Sequence, residues 1–119
     1  MDKDIVTLSV KHHFDAAHFL RDYKGACSNL HGHRWTVNIS VIGKVDPKTG
    51  MLIDFKKVKE VIDVLDHKCL NEIIPENPTA ENIAKRILFA VKDLIPGTQQ
   101  GFVRVKLFET PETSVEVQC

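Results

Sequence analysis

A chain of 119 residues, 43% hydrophobic and 27% charged, has the make-up of an ordinary globular domain rather than a disordered segment. Sixteen Lys and Arg balance sixteen Asp and Glu, so no basic excess points to nucleic acid or an anionic membrane surface as a partner. The length fits one domain spanning 1–119. The absence of a signal-like start or a membrane-length apolar run makes the cytoplasm the expected location.

In chain order, residues 4–14 alternate, with Val6, Leu8, Val10, His12 and Phe14 on one face, and predict a first strand. His12 reads as a core histidine with a satisfied ring, and His13 faces outward. Residues 15–30 read as a loop carrying His18 and Cys27. A second alternating run from about 32 to 43 predicts another strand, and Asp46-Pro-Lys-Thr-Gly50 closes it with a turn. Met51–Ile53 reads as a brief extended piece.

Asp54 is an N-cap candidate for a helix with Phe55, Val58, Val61, Ile62 and Leu65 on its apolar face. Thr79 is the equivalent cap for a second helix, whose stripe is Ile83, Ile87, Val91, Leu94 and Ile95 and which Pro96-Gly97 ends. A third strand over 102–109 turns through Thr110–Thr113 into a fourth, Ser114–Gln118. The order ββααββ predicts an α+β fold: a four-stranded antiparallel sheet with two helices on one face. Its edge strands suit pairing with other copies of the chain.

The chemistry gathers around Cys27-Ser-Asn-Leu-His31-Gly-His33. On a strand, His31 and His33 share a face with Trp35, Val37, Ile39 and Val41, and their Cα atoms stand roughly 6–7 Å apart, a span two imidazoles can close onto one ion. Gly32 between them lets backbone approach and adds no obstructing side chain. A catalytic zinc takes three protein ligands and keeps one position open, and His18 is the nearest candidate for the third.

Cys27 lies in a polar loop off any apolar stripe, and its thiolate can serve as ligand, base or nucleophile, or the residue can be structural. Asp66-His67 at a helix end is a surface pair, a cap whose His meets the helix C-terminus, or a dyad, and adjacent residues do not ordinarily face each other. Glu109 ends the otherwise apolar row Val103, Val105, Leu107. A carboxylate there either meets a donor such as an amidine-like N–H pair or has reached solvent. Three cysteines at 27, 69 and 119 form no disulfide framework and read as reduced thiols. Arg21, Lys24 and Lys48 are loop cations able to meet phosphate.

Six signatures, in order and almost end to end, resemble the 6-pyruvoyl-tetrahydropterin synthase family. They are His18 after Ala-Ala, Cys27-X-X-X-His31-Gly-His33, Ile53-Asp-Phe55, Leu65-Asp-His67, Asn77-Pro-Thr-Ala-Glu-Asn82 and Phe108-Glu-Thr-Pro111. Three residues between the cysteine and the first histidine are similar to the 6-carboxy-tetrahydropterin synthase branch of the queuosine (7-deazaguanine) pathway. The resemblance implies conversion of 7,8-dihydroneopterin triphosphate to 6-carboxy-5,6,7,8-tetrahydropterin, with release of acetaldehyde and triphosphate. The pyruvoyl-forming reaction and a non-catalytic pterin- or metal-binding module are the alternatives.

By the same resemblance His18, His31 and His33 hold Zn2+, Cys27 is the catalytic base, and Asp66 with His67 relays the proton. Glu109 anchors the pterin ring, with Thr79 and Thr110 near it. The family likeness also implies the tunnelling fold and a homohexamer of two stacked trimers, in which the Asp66-His67 dyad comes from an adjacent subunit. Cys69 stands where relatives often carry an aromatic residue.

Overall fold

The structure, a computed structural model, describes residues 3–99 and 101–119. The first long strand, β1 (Ile5–His18), pairs antiparallel with β2 (His31–Lys44) along its whole length, from Ile5 opposite Lys44 to His18 opposite His31. Helix α1 (Phe55–Asp63) follows, then a two-residue strand β3 (Lys68–Cys69), a single helical turn α2 (Leu70–Ile73) and helix α3 (Ala80–Asp93). Strands β4 (Phe102–Thr110) and β5 (Thr113–Gln118) close the chain.

The sheet has five strands in the order β3-β1-β2-β4-β5. It is mixed, because β3 runs parallel to β1 through Ala16–Lys68 and Ala17–Cys69 while every other pair is antiparallel. The four-stranded antiparallel expectation is corrected on this point. Two residues are too short to display a period of two, and β3 exists only because β1 continues past Phe14 to offer it a partner. For the same reason His18 lies on a strand and not in a loop. Met51–Ile53 forms no strand.

Both helix caps form as expected. Asp54 Oδ1 accepts from the Lys56 N–H at 2.9 Å, and Thr79 Oγ1 accepts from the Asn82 N–H at 3.2 Å. Helix α1 lies over β1 and α3 over β4 and β5, so the two long helices cover one sheet face. Between them sit Val10, Phe14, Trp35, Val37, Ile39, Val103, Val105 and Leu107 from the strands, and Val58, Ile62, Ile83, Ile87 and Val91 from the helices. Phe14 and Trp35, opposite one another in the register, stack with ring centroids 5.8 Å apart. Burying each such side chain is worth about 1.5–3 kcal/mol or more, so this pair anchors the core below the functional end of the sheet. Among the described residues no helix is long and apolar enough to cross a membrane.

Candidate metal centre

Strand register, more than loop geometry, assembles the site. On the helix-covered face, β1 presents Phe14, Ala16 and His18, β2 presents Trp35, His33 and His31, and β4 presents Leu107 and Glu109. His18 stands directly opposite His31, and His33 stands opposite Ala16, whose single methyl leaves room for the rings. The imidazole centroids are 4.6 Å apart for His18–His31, 4.9 Å for His31–His33 and 5.4 Å for His18–His33. Trp35 forms the floor, edge-on to His18 at 5.0 Å and to His33 at 5.3 Å, with its indole N–H donating to the Ala16 carbonyl at 3.3 Å.

Two of the rings are held by their far nitrogens. His18 Nδ1 lies 2.7 Å from the Pro78 carbonyl and His31 Nδ1 2.7 Å from the Asn29 carbonyl. A carbonyl only accepts, so each Nδ1 carries the proton and each Nε2 keeps its lone pair. The Nε2 atoms of His18, His31 and His33 are all buried and, among the described residues, have no hydrogen-bond partner. Leaving three buried ring nitrogens unmatched costs about 1–3 kcal/mol apiece, a large share of the about 5–15 kcal/mol that keeps a domain folded. Protonation of His33 is a poor remedy: burial pushes its pKa down, the Glu109 carboxylate partly opposes this, and His18 and His31 lower it further. A divalent cation satisfies all three lone pairs at once, and the donor set fits one.

Glu109 completes the cluster. Its ligand oxygen and the three histidine nitrogens all lie within 4.8 Å of one another. Glu109 Oε1 comes within 3.3 Å of His18 Nε2 and 3.2 Å of His33 Nε2, without the alignment of a hydrogen bond to either. Of the two sequence readings of Glu109, the one that ran it out to solvent is overturned. Regular alternation along β4 keeps Glu109 on the face of Leu107, and the shift in the β4–β5 pairing between Phe108 and Thr110 falls on the other strand edge.

Cys27 sits in a 3₁₀ turn, Ala26–Ser28, whose Cys27 carbonyl accepts from the Leu20 N–H at 2.8 Å. That bond ties the turn to the chain two residues beyond His18, and Cys27 is half-buried there. Thr79 caps α3 one residue after the Pro78 that holds His18, and Thr110 Oγ1 pairs with Thr113 Oγ1 at 2.7 Å beside Glu109.

Asp66 and His67 form a pair, which adjacency in sequence does not lead one to expect. His67 adopts a left-handed φ of 57°, and its Nδ1 reaches Asp66 Oδ2 at 2.8 Å. Both neighbours are pinned to Asp15, whose N–H donates to Asp66 Oδ1 at 2.8 Å and whose carbonyl accepts from the His67 N–H at 2.7 Å. A non-glycine residue in this conformation costs about 1 kcal/mol, which these bonds offset. The His67 side chain is 80% exposed. It borders an open groove lined by Ala17, Gly32 and Arg34, which alternate with the histidine row, and also by Ala16 and His33 of that row. Arg34 grips Asp15 there with two hydrogen bonds of 2.9 and 3.0 Å. The chain therefore brings His18, His31, His33 and Glu109 together, and leaves Asp66-His67 outside that cluster, beside a groove that His33 also lines.

Other expectations resolve as follows. His12 is satisfied, but by Asp63 at the end of α1 at 2.7 Å, while His13 is exposed. Gly32 meets no steric demand within this chain, since an added Cβ would touch only the Ala16 carbonyl at 3.9 Å. Trp35 and the Pro78 and Asn29 carbonyls also belong to the site; Pro78 and Asn29 fall within the quoted signatures, but the role of their carbonyls does not show there. Trp35 is legible as the next inward residue after His33, whereas the carbonyls carry no side-chain signal.

Fold and site together define an α+β protein with a buried, metal-competent histidine cradle at one end of its sheet. The 6-pyruvoyl tetrahydropterin synthase family matches residues 7–119, and the chain belongs to that family. Among curated relatives, it is 38% identical over 109 residues to a dihydroneopterin monophosphate aldolase of Pyrococcus furiosus, covering 88% of this chain and 90% of that protein. It is 33% identical over an alignment of 129 residues to a 6-carboxy-5,6,7,8-tetrahydropterin synthase of Rickettsia bellii, covering 87% and 94%. The solved structure of Caenorhabditis elegans 6-pyruvoyl tetrahydropterin synthase superposes with a TM-score of 0.75 at 29% identity, covering 97% of this chain and 96% of that one.

Proposed function

We propose that this protein is a zinc-dependent pterin lyase, a single domain over 1–119. In this reading it converts 7,8-dihydroneopterin triphosphate and water to 6-carboxy-5,6,7,8-tetrahydropterin, acetaldehyde and triphosphate in the cytoplasm, as a step of queuosine biosynthesis. The observation that carries the reading is the convergence of three buried, partnerless Nε2 atoms, two of them on rings whose tautomer is set by a carbonyl. Relatives named 6-carboxy-5,6,7,8-tetrahydropterin synthase, at 33% identity in Rickettsia bellii and 36% in Bacillus subtilis, support this product.

His18, His31 and His33 would hold the zinc, which when bound supplies Lewis acidity toward the hydroxyls of the substrate side chain. Cys27, on the turn tied to the end of β1, takes the proton from the side-chain carbon as a thiolate base. Glu109 accepts from the N–H groups of the pterin ring and fixes it in register, with Thr79 and Thr110 flanking the ring. In His67, the Nδ1–H bond to Asp66 leaves Nε2 as the atom that carries the relayed proton. Because that ring is exposed and lies outside its own chain's histidine cluster, it would serve the Cys27 of a neighbouring copy. This fits a homohexamer of two stacked trimers in the tunnelling fold.

One finding favours a second reading. The Pyrococcus furiosus relative, at 38% identity, is named a dihydroneopterin monophosphate aldolase. Aldol cleavage of that side chain leaves a hydroxymethyl pterin and a phosphorylated two-carbon aldehyde, from a monophosphate substrate. Incubation of zinc-loaded protein with the triphosphate and the monophosphate in parallel, with products identified by mass spectrometry, separates the readings. A carboxy pterin with acetaldehyde from the triphosphate is the expected result. A pyruvoyl pterin without acetaldehyde, a hydroxymethyl pterin from the monophosphate, or no turnover of either substrate would each replace it.

A further inference from the structure

Beyond His18, β1 gives way to Phe19–Arg21, which runs beside residues 71–77 without forming a strand with them. Two asparagine side chains take the place of strand pairing. Phe19 donates its N–H to Asn71 Oδ1 at 2.9 Å and accepts from Asn71 Nδ2 at its carbonyl at 2.9 Å. Arg21 does the same with Asn77, at 2.9 Å to Oδ1 and 3.0 Å from Nδ2. Each carboxamide thus satisfies both main-chain groups of one residue, two positions apart, as a neighbouring strand would.

The same asparagine sets the next residue. The Asn77 carbonyl accepts from the Thr79 N–H at 2.8 Å and from Asn82 Nδ2 at 2.9 Å, which folds the chain around Pro78. The Arg21 guanidinium adds a bond to the Pro75 carbonyl at 3.0 Å. Pro78 is buried, and its carbonyl is the acceptor for Nδ1 of His18, itself only 1% exposed. The chain on either side of the Pro78–His18 bond is therefore fastened to the other side by carboxamides. None of these polar groups lies within the histidine cradle itself.

We propose that Asn71 and Asn77 are positioning residues for His18. By fastening Phe19–Arg21 to 71–77 they hold the Pro78 carbonyl against Nδ1, fix the Nδ1–H tautomer, and aim Nε2 into the cradle. Outer partners of this kind typically change metal affinity by roughly 10–100-fold when lost. His31 is set separately by Asn29 two residues away, so the clamp governs one ring of the three. The inference deepens the metal-centre reading and rests on it for its purpose, though the tautomer itself is a property of the metal-free protein.

The test is long-range ¹H–¹⁵N NMR of the imidazole rings in metal-free parent, Asn77→Ala and Asn71→Asp, followed by Co2+ titration of each. Asn71→Asp keeps the acceptor for the Phe19 N–H but sets a carboxylate oxygen against the Phe19 carbonyl. It opens the clamp by repulsion and not by truncation, and gives a second variant where Asn77→Ala fails to fold. The expected result is a mixed or switched His18 tautomer with the His31 pattern unchanged, and Co2+ affinity lowered by roughly 10-fold or more. An unaltered His18 pattern with affinity within about twofold, or His18 and His31 altered together, would overturn the proposal. Failure of the parent to bind Co2+ would count against the metal-centre reading, while the NMR comparison would still decide the clamp.

Discussion

His18 and His31 face each other across β1 and β2 with ring centroids 4.6 Å apart, and each donates its Nδ1 proton to a main-chain carbonyl. The pairing places two lone pairs in one buried spot from residues that are thirteen positions apart. His33, two residues along the same strand face, supplies the third.

Removal of one ring should therefore dismantle the centre. His31→Ala is expected to lower zinc affinity by more than roughly the 100-fold that loss of an outer partner causes, and to abolish turnover. Bound metal also stabilises the folded state by mass action, so chelation should lower the melting temperature of the parent and leave that of His31→Ala unchanged. Calorimetry with and without chelator checks this.

Cys27→Ala should retain zinc and pterin binding and lose turnover, since the thiol is assigned to the proton and not to the metal. Metal content and equilibrium binding of an unreactive pterin report the first two. A variant that loses its zinc would make Cys27 a ligand.

Glu109 is the residue with two claims on it, because Oε1 lies 3.2 Å from His33 Nε2 while the family likeness assigns the carboxylate to the pterin ring. Glu109→Gln removes charge-assisted hydrogen bonds worth about 1.5–3 kcal/mol, so pterin affinity should fall roughly 10–100-fold with zinc affinity little changed. The opposite pattern, zinc weakened and pterin unaffected, would make Glu109 a fourth ligand.

The Asp66 carboxyl is held below the usual aspartate range by the Asp15 N–H first and by His67 as well, with burial opposing. A lowered folded pKa adds stability that is present above the unfolded value, about 3.9, and is lost as pH falls through the folded one. Asp66→Asn should therefore melt with a shallower loss of stability than the parent as pH drops below about 4. Equal slopes in the two proteins would mean that the Asp15–Asp66 bond adds no stability.

Much of this site is legible in the residues alone. The alternation through His31, His33 and Trp35 puts two ligands on one face, and the caps at Asp54 and Thr79 announce both long helices. What stays hidden depends on long-range register. β3 has two residues and no pattern of its own, so the fifth strand leaves no trace in the sequence, and His18 reads as a loop residue because Ala16 and Ala17 do not look like strand residues. Glu109 joins the histidines only once β4 lies beside β2. The turn that lets His67 meet Asp66 depends on a positive φ, uncommon for a non-glycine residue and held here by the tertiary bonds to Asp15.

The central claim is that three imidazole nitrogens hold one ion. X-ray absorption spectroscopy of zinc-reconstituted protein tests it most directly. The account predicts one zinc per chain with three histidine nitrogens at about 2.0–2.1 Å, no sulfur, and a lighter ligand in the remaining position. No stoichiometric uptake, or a sulfur scatterer at about 2.3 Å, would contradict it.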